Sequence, residues 1–274
     1  MSLATADFTF LCDLVARHSG NIIAARHAGM LEQRLVGVAG SVGARDLPSL
    51  VKRLRDSGDL ALSDQVAEAV TVNETRFFRD EHLFEALRSY IIPELIRKNA
   101  KRKEIRIWSA ACSSGQEPYS VAMVLREYFP QLSDWRINIV ATDLSLQMLQ
   151  RVQAGTYSQL EVSRGVSPKN LVRFFDRSGA GWQIKQELRD MIEVQRVNLT
   201  RPWPYMGQFD IALVRNVLIY FDRQTKNDIL KRVRGALRPE GYLFIGAAET
   251  LIGLSVPYQR REIDATIIYR PTNC

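Results

Sequence analysis

Apolar residues recur every three to four positions through the first seventy residues, and beyond Lys103 the rhythm changes to short apolar runs separated by helical segments. In "DFTFLCDLVARHSG" the residues Phe8, Leu11, Leu14 and Val15 share one helical face, and Gly20 is placed to close the end. "AGMLEQRLVGVAG" repeats the pattern through Met30, Leu31 and Leu35, and "DLPSLVKRLRDSG" opens on Asp46 as an N-cap and stops at Gly58. A further helix is expected from about Ser63 to Val70. "TVNETRFFRD" then leads into an amphipathic helix through Leu83, Phe84, Leu87 and Ile91. That helix is expected to end or kink near Pro93, because proline lacks an amide hydrogen and its ring crowds the preceding turn.

After Lys103 the pattern predicts strands at 105–110, 136–142, 209–214 and 241–246, alternating with helices at 117–129, 145–153 and 223–236. The connections are too long for hairpins, which implies a parallel sheet with helices on both faces. The run "REIDATIIYRP" adds a last strand, antiparallel at the edge. In "FFDRSGAGWQIKQELRDMIEVQRVNL" two β-like runs, Trp182 to Lys185 and Met191 to Val197, read as a small antiparallel insertion on the main sheet. The fold class is therefore α/β: a doubly wound, mostly parallel sheet with an antiparallel edge strand and a small antiparallel β-insertion, preceded by a small all-helical N-terminal domain. The expected division is 1–70 for the helical domain, 71–92 for a linker and connecting helix, and 93–274 for the sheet domain, with the β-insertion at about 160–197.

Composition narrows the class. With 274 residues, 46% of them apolar, the chain can bury a large core. The longest apolar run near the C-terminal half, "FDIALVRNVLIYF", is broken by Arg215 and Asn216, and no signal-like segment opens the chain, so neither membrane insertion nor export is expected. Cys12, Cys112 and Cys274 are an odd set at unrelated spacings, which fits a reducing cytoplasm better than a disulfide framework. Cys112 reads as a small packing residue. His18, His27 and His82 form no metal-binding pattern, and no metal is expected. The net charge of +7 suits an acidic partner, and it is uneven. Between residues 14 and 55, seven basic residues (Arg17, Arg26, Arg34, Arg45, Lys52, Arg53, Arg55) face only Glu32 and Asp46. A second basic cluster runs from Arg97 to Lys103.

In an open parallel sheet the ligand lies beyond the C-terminal strand ends, at the switch in strand order, so "SAACSSGQEPY", "ATDLS" and "VRNVLIYFD" should converge. Asp143 closes the second of these strands, a position from which a carboxylate accepts hydrogen bonds from both ribose hydroxyls. The alternative is an N-cap for the next helix, for which Ser145 is also available. The first turn has Gly115 alone, where dinucleotide binders carry three glycines, and the chain has no phosphate-binding P-loop. A nicotinamide or nucleoside-triphosphate ligand is disfavoured. Glu117 stands at the helix entrance beside Pro118, where it either complements the helix dipole or favours a cationic ligand. S-adenosylmethionine is such a ligand, with a ribose and adenine, no phosphate, an ammonium group and a sulfonium.

These stretches resemble the CheR family of chemotaxis-receptor methyltransferases, which are S-adenosylmethionine-dependent protein-glutamate O-methyltransferases. The similarity runs through "VNETRFFRD", "IWSAACSSGQEPYSVAM", "ATDLS", "VNL", "VRNVLIYFD" and "LRPEGYLFIG", in that order and over nearly the whole chain. The resemblance implies that Asn73, Thr75 and Arg79 approach the cofactor from the linker, with Arg79 pairing with its methionyl carboxylate. It places Glu117 on the ammonium side, Asp143 on the ribose, Asn198 and Leu199 beside the adenine, and Arg215 and Asn216 in the pocket wall. Tyr220 is implied to stand near the sulfonium and the incoming substrate, so that Arg79 and Tyr220 are the catalytic candidates. The implied partner is the cytoplasmic helical domain of chemoreceptors, met by the basic N-terminal helices near Arg26, Arg34, Lys52, Arg53 and Arg55. Two departures stand out. The family's Gly-His-Ser-Glu-like run reads "GAAET" here, which removes any role for a histidine or serine, and "DRSGAGWQIK" is too compact to favour binding of a receptor tail peptide.

The implied reaction is attack of an ionised glutamate carboxylate on the sulfonium methyl, which needs no general base. A nucleic-acid methyltransferase is the first rival, but no [DN]-P-P-[YF] run and no interleaved basic and aromatic surface is present. A non-catalytic signalling adaptor that retains the pocket is the second. A dehydrogenase is the third, and the glycine count weighs against it.

Overall fold

The computed structural model describes residues 3–263 and 265–272, so Asp264, within the run read as the last strand, and Cys274 lie outside the described residues. Four helices come first: α1 (Thr5–Ser19), α2 (Ala28–Ser41), α3 (Leu47–Ser57) and α4 (Leu60–Ala69). Helix α1 ends at Gly20 and α3 at Gly58, both in the left-handed conformation that glycine adopts without strain. The Asp46 side chain caps α3 by accepting from the Ser49 amide, as the sequence predicts. Helix α4 begins earlier than expected, at Leu60, because Asp59 accepts from the amides of Ala61 and Leu62. The four helices bury a core of their own around Leu11, Leu31, Leu35, Leu50 and Val66.

The connecting helix does not stop at Pro93. It runs as α5 (Glu81–Ala86), a wide π-turn (Leu87–Ile91) and α6 (Ile92–Lys98). The π-turn ends two residues before Pro93, and widened turns of this kind are where a helix takes up an irregularity without ending.

The α/β part continues as β1 (Glu104–Ala110), α7 (Gln116–Tyr128), β2 (Arg136–Asp143), α8 (Leu146–Ala154), β3 (Thr156–Tyr157), α9 (Gln159–Ser163), α10 (Pro168–Phe174), β4 (Phe175–Ser178), β5 (Gly181–Ile184), α11 (Gln186–Arg189) and β6 (Ile192–Arg196). It closes with β7 (Phe209–Val214), α12 (Arg223–Ala236), β8 (Leu237–Ile245), β9 (Tyr258–Ile263) and β10 (Thr266–Pro271). The main sheet has the order β6-β2-β1-β7-β8-β10-β9. Its first five strands are parallel neighbours, and β10 and β9 add an antiparallel edge. Alternate residues of β1 serve opposite faces: Ile105 and Ile107 pack with α7, while Trp108 and Ala110 pack with α12.

Three sequence expectations are corrected. The run Met191 to Val197 is not part of the antiparallel insertion, because its strand β6 pairs in parallel with β2 at the edge of the main sheet. The insertion is a separate three-stranded sheet, β3-β5-β4, so its strands span Thr156 to Ile184 and not 160–197. The C-terminal tail likewise forms two strands, with β10 between β8 and β9, in place of one edge strand.

Candidate functional site

Strand β1 lies between β2 and β7, and at this switch in strand order the loops leaving all three strands diverge to form a cavity. Every site residue named from the sequence lines it, together with Ser19 at the end of α1 and Asn21 just beyond it. The space between these walls, counted out to the open mouth, is about 940 Å³.

The turn after β1 is built from left-handed residues: Ala111 (φ 54°), Ser113 (φ 50°) and Gly115 (φ 94°). A Cβ on Gly115 would stand 3.0 Å from Val152 Cγ2 and 3.1 Å from the Tyr157 hydroxyl. Three amides of this turn are occupied by protein acceptors. Cys112 N–H donates to the Thr142 carbonyl (2.9 Å), Ser113 N–H to Asp143 Oδ2 (2.8 Å) and Gly115 N–H to the Cys112 carbonyl (3.1 Å). A phosphate cradle needs such groups free and pointing at the ligand, so the turn is suited to a ligand without phosphate. Cys112 is a buried packing residue. Burial, then the charges of Asp143 and Glu117, push its thiol well above the ordinary range.

Asp143 is 7% exposed. Its Oδ1 accepts from the Ser145 amide (2.9 Å), while the Ser145 hydroxyl accepts from the Met148 amide (3.2 Å) and caps α8. The capping alternative thus belongs to Ser145. Each Asp143 oxygen has one backbone donor and a lone pair to spare, a set that fits two further hydroxyl donors. Burial raises its pKa, and the two amide bonds offset that only in part.

Glu117 is not an isolated charge. Its Oε1 accepts from the Ser109 hydroxyl (2.7 Å) and its Oε2 pairs with Arg215 (2.6 Å). The Arg215 side chain, 3% exposed, also reaches Asp80 (2.5 Å) and the Arg79 carbonyl (2.9 Å). Burial lowers the pKa of Arg215, but Glu117 and Asp80 more than offset this, leaving it above the ordinary value. Two carboxylates against one guanidinium leave the trio with a net charge of −1, which still favours a cationic ligand. The same contacts hold the linker against the end of β7. Here Phe78 (φ 51°) and Asp80 (φ 62°) are also left-handed, and Asn216 (φ 57°) sits across from them. Each such residue costs about 1–3 kcal/mol, and the clustering of strain around one cavity is characteristic of a functional site.

Asn73 and Thr75 line the cavity from the linker, and the Asn73 carbonyl accepts from the Ser113 hydroxyl (2.8 Å). Arg79 is half-buried and makes one hydrogen bond, to the Glu74 carbonyl (3.3 Å). Leu199, 6% exposed, forms an apolar wall. Asn198 ties the two parts of the chain together: its Nδ2 donates to the His18 carbonyl (2.7 Å), and its Oδ1 accepts from the Thr200 amide (3.0 Å). Tyr220 is half-buried, and burial raises its pKa. Its hydroxyl makes no hydrogen bond among the described residues. Its carbonyl accepts from the Ile22 amide (3.0 Å), a second tie to the helical region.

Sequence reasoning missed Glu249. One carboxylate accepts from the amides of Asn216 (2.8 Å), Gly246 (2.6 Å) and Ile219 (3.1 Å), fixing the loop that carries Arg215, Asn216 and Tyr220. A Cβ on Gly246 would stand 2.8 Å from Glu249 Oε2 and 2.6 Å from Asn216 Nδ2. The available signal was that "GAAET" keeps the glutamate of the family's run while losing its histidine and serine.

The basic residues of the helical region are partly engaged locally. Lys52 pairs with Asp56 and Arg55 with Asp7 (3.0 Å), Arg53 donates to the Val42 carbonyl (2.7 Å), and Arg34 donates to the Thr71 carbonyl at the start of the linker. Among the described residues no group of three or more His, Cys, Asp or Glu could hold a metal ion, and no helix is long and apolar enough to cross a membrane.

Residues 73–267 match the family described as CheR methyltransferase, SAM binding domain. Chemotaxis protein methyltransferase 1 of Pseudomonas aeruginosa is 41% identical over 275 residues, covering 98% of this chain and 99% of the relative. Chemotaxis protein methyltransferase Cher2 of Pseudomonas putida is 40% identical over 274 residues, with 98% and 99% covered. A chemotaxis protein methyltransferase of Vibrio parahaemolyticus is 38% identical over 230 residues, with 82% of each chain covered. The chain belongs to the CheR family of S-adenosylmethionine-dependent methyltransferases.

Proposed function

We propose that this enzyme methylates glutamate side chains of chemoreceptors in the cytoplasm, forming glutamyl methyl esters during chemotactic adaptation. The observation that carries the reading is the composition of the cavity: a buried carboxylate with two open lone pairs, a turn with three of its amides already occupied, and no histidine in the walls. Such a site fits a ribose-bearing cofactor without phosphate and a reaction without a general base. Bound there, S-adenosylmethionine supplies a methyl group on a positively charged sulfur, which leaves as a neutral thioether once the methyl is taken.

The side chains divide the work. Asp143 holds the ribose hydroxyls, Asn198 and Leu199 border the adenine, and the Glu117, Asp80 and Arg215 trio gives the ammonium end a negative surrounding. Asn73 and Thr75 close the linker side, and Asn216 shapes the wall opposite. Arg79 binds the methionyl carboxylate. Tyr220, with its hydroxyl unengaged, borders the reacting carbon and orients the acceptor. A glutamate with a reference pKa near ~4.3 is already ionised at neutral pH, so the protein supplies alignment and exclusion of water.

The acceptor is a helical, acidic receptor segment, and Arg26 just before α2, Arg34 on α2 and Arg53 on α3 supply the complementary charge. A compact β4–β5 hairpin, turning within Ser178–Gly181, gives no long loop to grip a tail peptide. The test is incubation with methyl-labelled S-adenosylmethionine and receptor-bearing membranes or, in parallel, nucleic acid. Alkali-labile label in receptor is expected. Stable label in nucleic acid, or tight S-adenosylhomocysteine binding with no transfer to any receptor, would replace this reading with one of its rivals.

A further inference from the structure

The proposed reaction has two carboxylates to hold, one on the cofactor and one on the acceptor, and three arginines line the cavity: Arg76, Arg79 and Arg215. Arg215 is fully engaged by Glu117, Asp80 and the Arg79 carbonyl. Arg79 is matched to the cofactor. Arg76 is exposed and makes no hydrogen bond, ion pair or aromatic contact among the described residues.

Its backbone is nevertheless held firmly. Phe77, the next residue, is 1% exposed, with its ring edge-on to Tyr157 (4.9 Å between centroids) and Phe175 (5.7 Å). The Phe78 amide donates to the Ser120 hydroxyl (2.9 Å). At Gly165 the neighbouring loop comes so close that a Cβ would stand 2.1 Å from the Phe77 carbonyl oxygen. A guanidinium on a fixed stem, unpaired and at the mouth of the cavity, is an available partner for an incoming anion. Glu74 also lines the mouth and is exposed, so an arriving carboxylate meets a like charge there that needs a nearby cation to balance it.

We propose that Arg76 binds the acceptor carboxylate and orients it toward Tyr220, a positioning role for a residue next to those that bind the cofactor. This inference rests on the proposed function. A planar guanidinium holds a carboxylate through two parallel hydrogen bonds, which fixes the direction of the oxygen that is to be methylated. The contact is made by the acceptor alone, so it should leave cofactor affinity untouched.

The test compares wild type with Arg76→Ala, Arg76→Lys and Arg76→Glu, measuring S-adenosylhomocysteine Kd by calorimetry and kcat and KM for receptor methylation. Arg76→Ala is expected to lower kcat/KM for receptor roughly tenfold, with part of the loss in kcat at saturating receptor, while the Kd stays within about twofold. Arg76→Lys should recover part of the loss and Arg76→Glu deepen it. Unchanged kcat/KM in Arg76→Ala, or a Kd that weakens in step with it, overturns the assignment. If wild type itself forms no receptor methyl ester, the proposed function fails and the acceptor role of Arg76 with it. Because Arg76 is exposed and unpaired, the variants are expected to fold, and matching circular dichroism checks this.

Discussion

The proposed ribose contact makes a quantitative demand on Asp143. Its carboxylate is 7% exposed, and burial holds its pKa above the ordinary aspartate value. For a folded-state pKa raised in this way, the stability contribution is full below the unfolded pKa and is lost as pH rises through the folded one. Hydroxyl donors on the two open lone pairs favour the charged form, so proton and ligand compete for the same oxygens. Binding of S-adenosylhomocysteine should therefore tighten as pH rises through the raised pKa and level off above it. Asp143→Asn keeps the size of the side chain but replaces one acceptor with a donor and removes the charge. A hydrogen bond to a charged group contributes about 1.5–3 kcal/mol, so at neutral pH the variant should bind about 10- to 150-fold more weakly. Calorimetry with S-adenosylhomocysteine and its 2′-deoxy analogue measures both effects. Removing the hydroxyl should cost wild type more than the Asn variant. Equal affinity for variant and wild type at neutral pH, or an identical penalty for the analogue in both, refutes the contact.

Three further perturbations test the support of the site. Arg215→Ala leaves Glu117 and Asp80, with side chains 14% and 32% exposed, facing each other without a cation. It should cost about 3–5 kcal/mol, read from the urea midpoint, and weaken S-adenosylhomocysteine binding by releasing the linker. Glu249→Gln cannot accept from all three loop amides and should cost about 1–3 kcal/mol. In methylation assays its kcat should fall more than its cofactor Kd rises, because the loop it fixes carries Tyr220. Gly115→Ala, at φ 94° with Val152 3.0 Å from the new Cβ, should lose about 1–3 kcal/mol in chemical denaturation.

Local pattern made most of the parallel sheet and the helical region legible, because 3.6 and 2 periodicities survive in the sequence wherever one face is buried. It failed at Met191 to Val197. An alternating run declares a strand but not its neighbour, and pairing with β2 depends on residues some fifty positions earlier. Asp59 was missed as a cap because the apolar run that helix α4 buries begins two residues after Leu60. The cavity residues were named from strand ends and from the family resemblance, and they do share one cavity. Their partnerships were not legible: Arg215 with Asp80, Asn198 with His18, and Glu249 with three amides all join segments distant in sequence. The helical region was assigned to docking alone, yet Ser19 and Asn21 line the cavity, a consequence of how α1 seats on the sheet domain that no local pattern encodes.

The central claim is that a glutamate carboxylate on a receptor takes the methyl group. Mass spectrometry of receptor peptides after incubation with the enzyme and S-adenosylmethionine tests it most directly. The account predicts peptides that gain one methylene unit on a glutamate side chain, lose it on mild alkali treatment, and do not appear when Arg79→Ala replaces wild type. Methylation at a lysine or another nitrogen, or equal ester yield from Arg79→Ala, would contradict it.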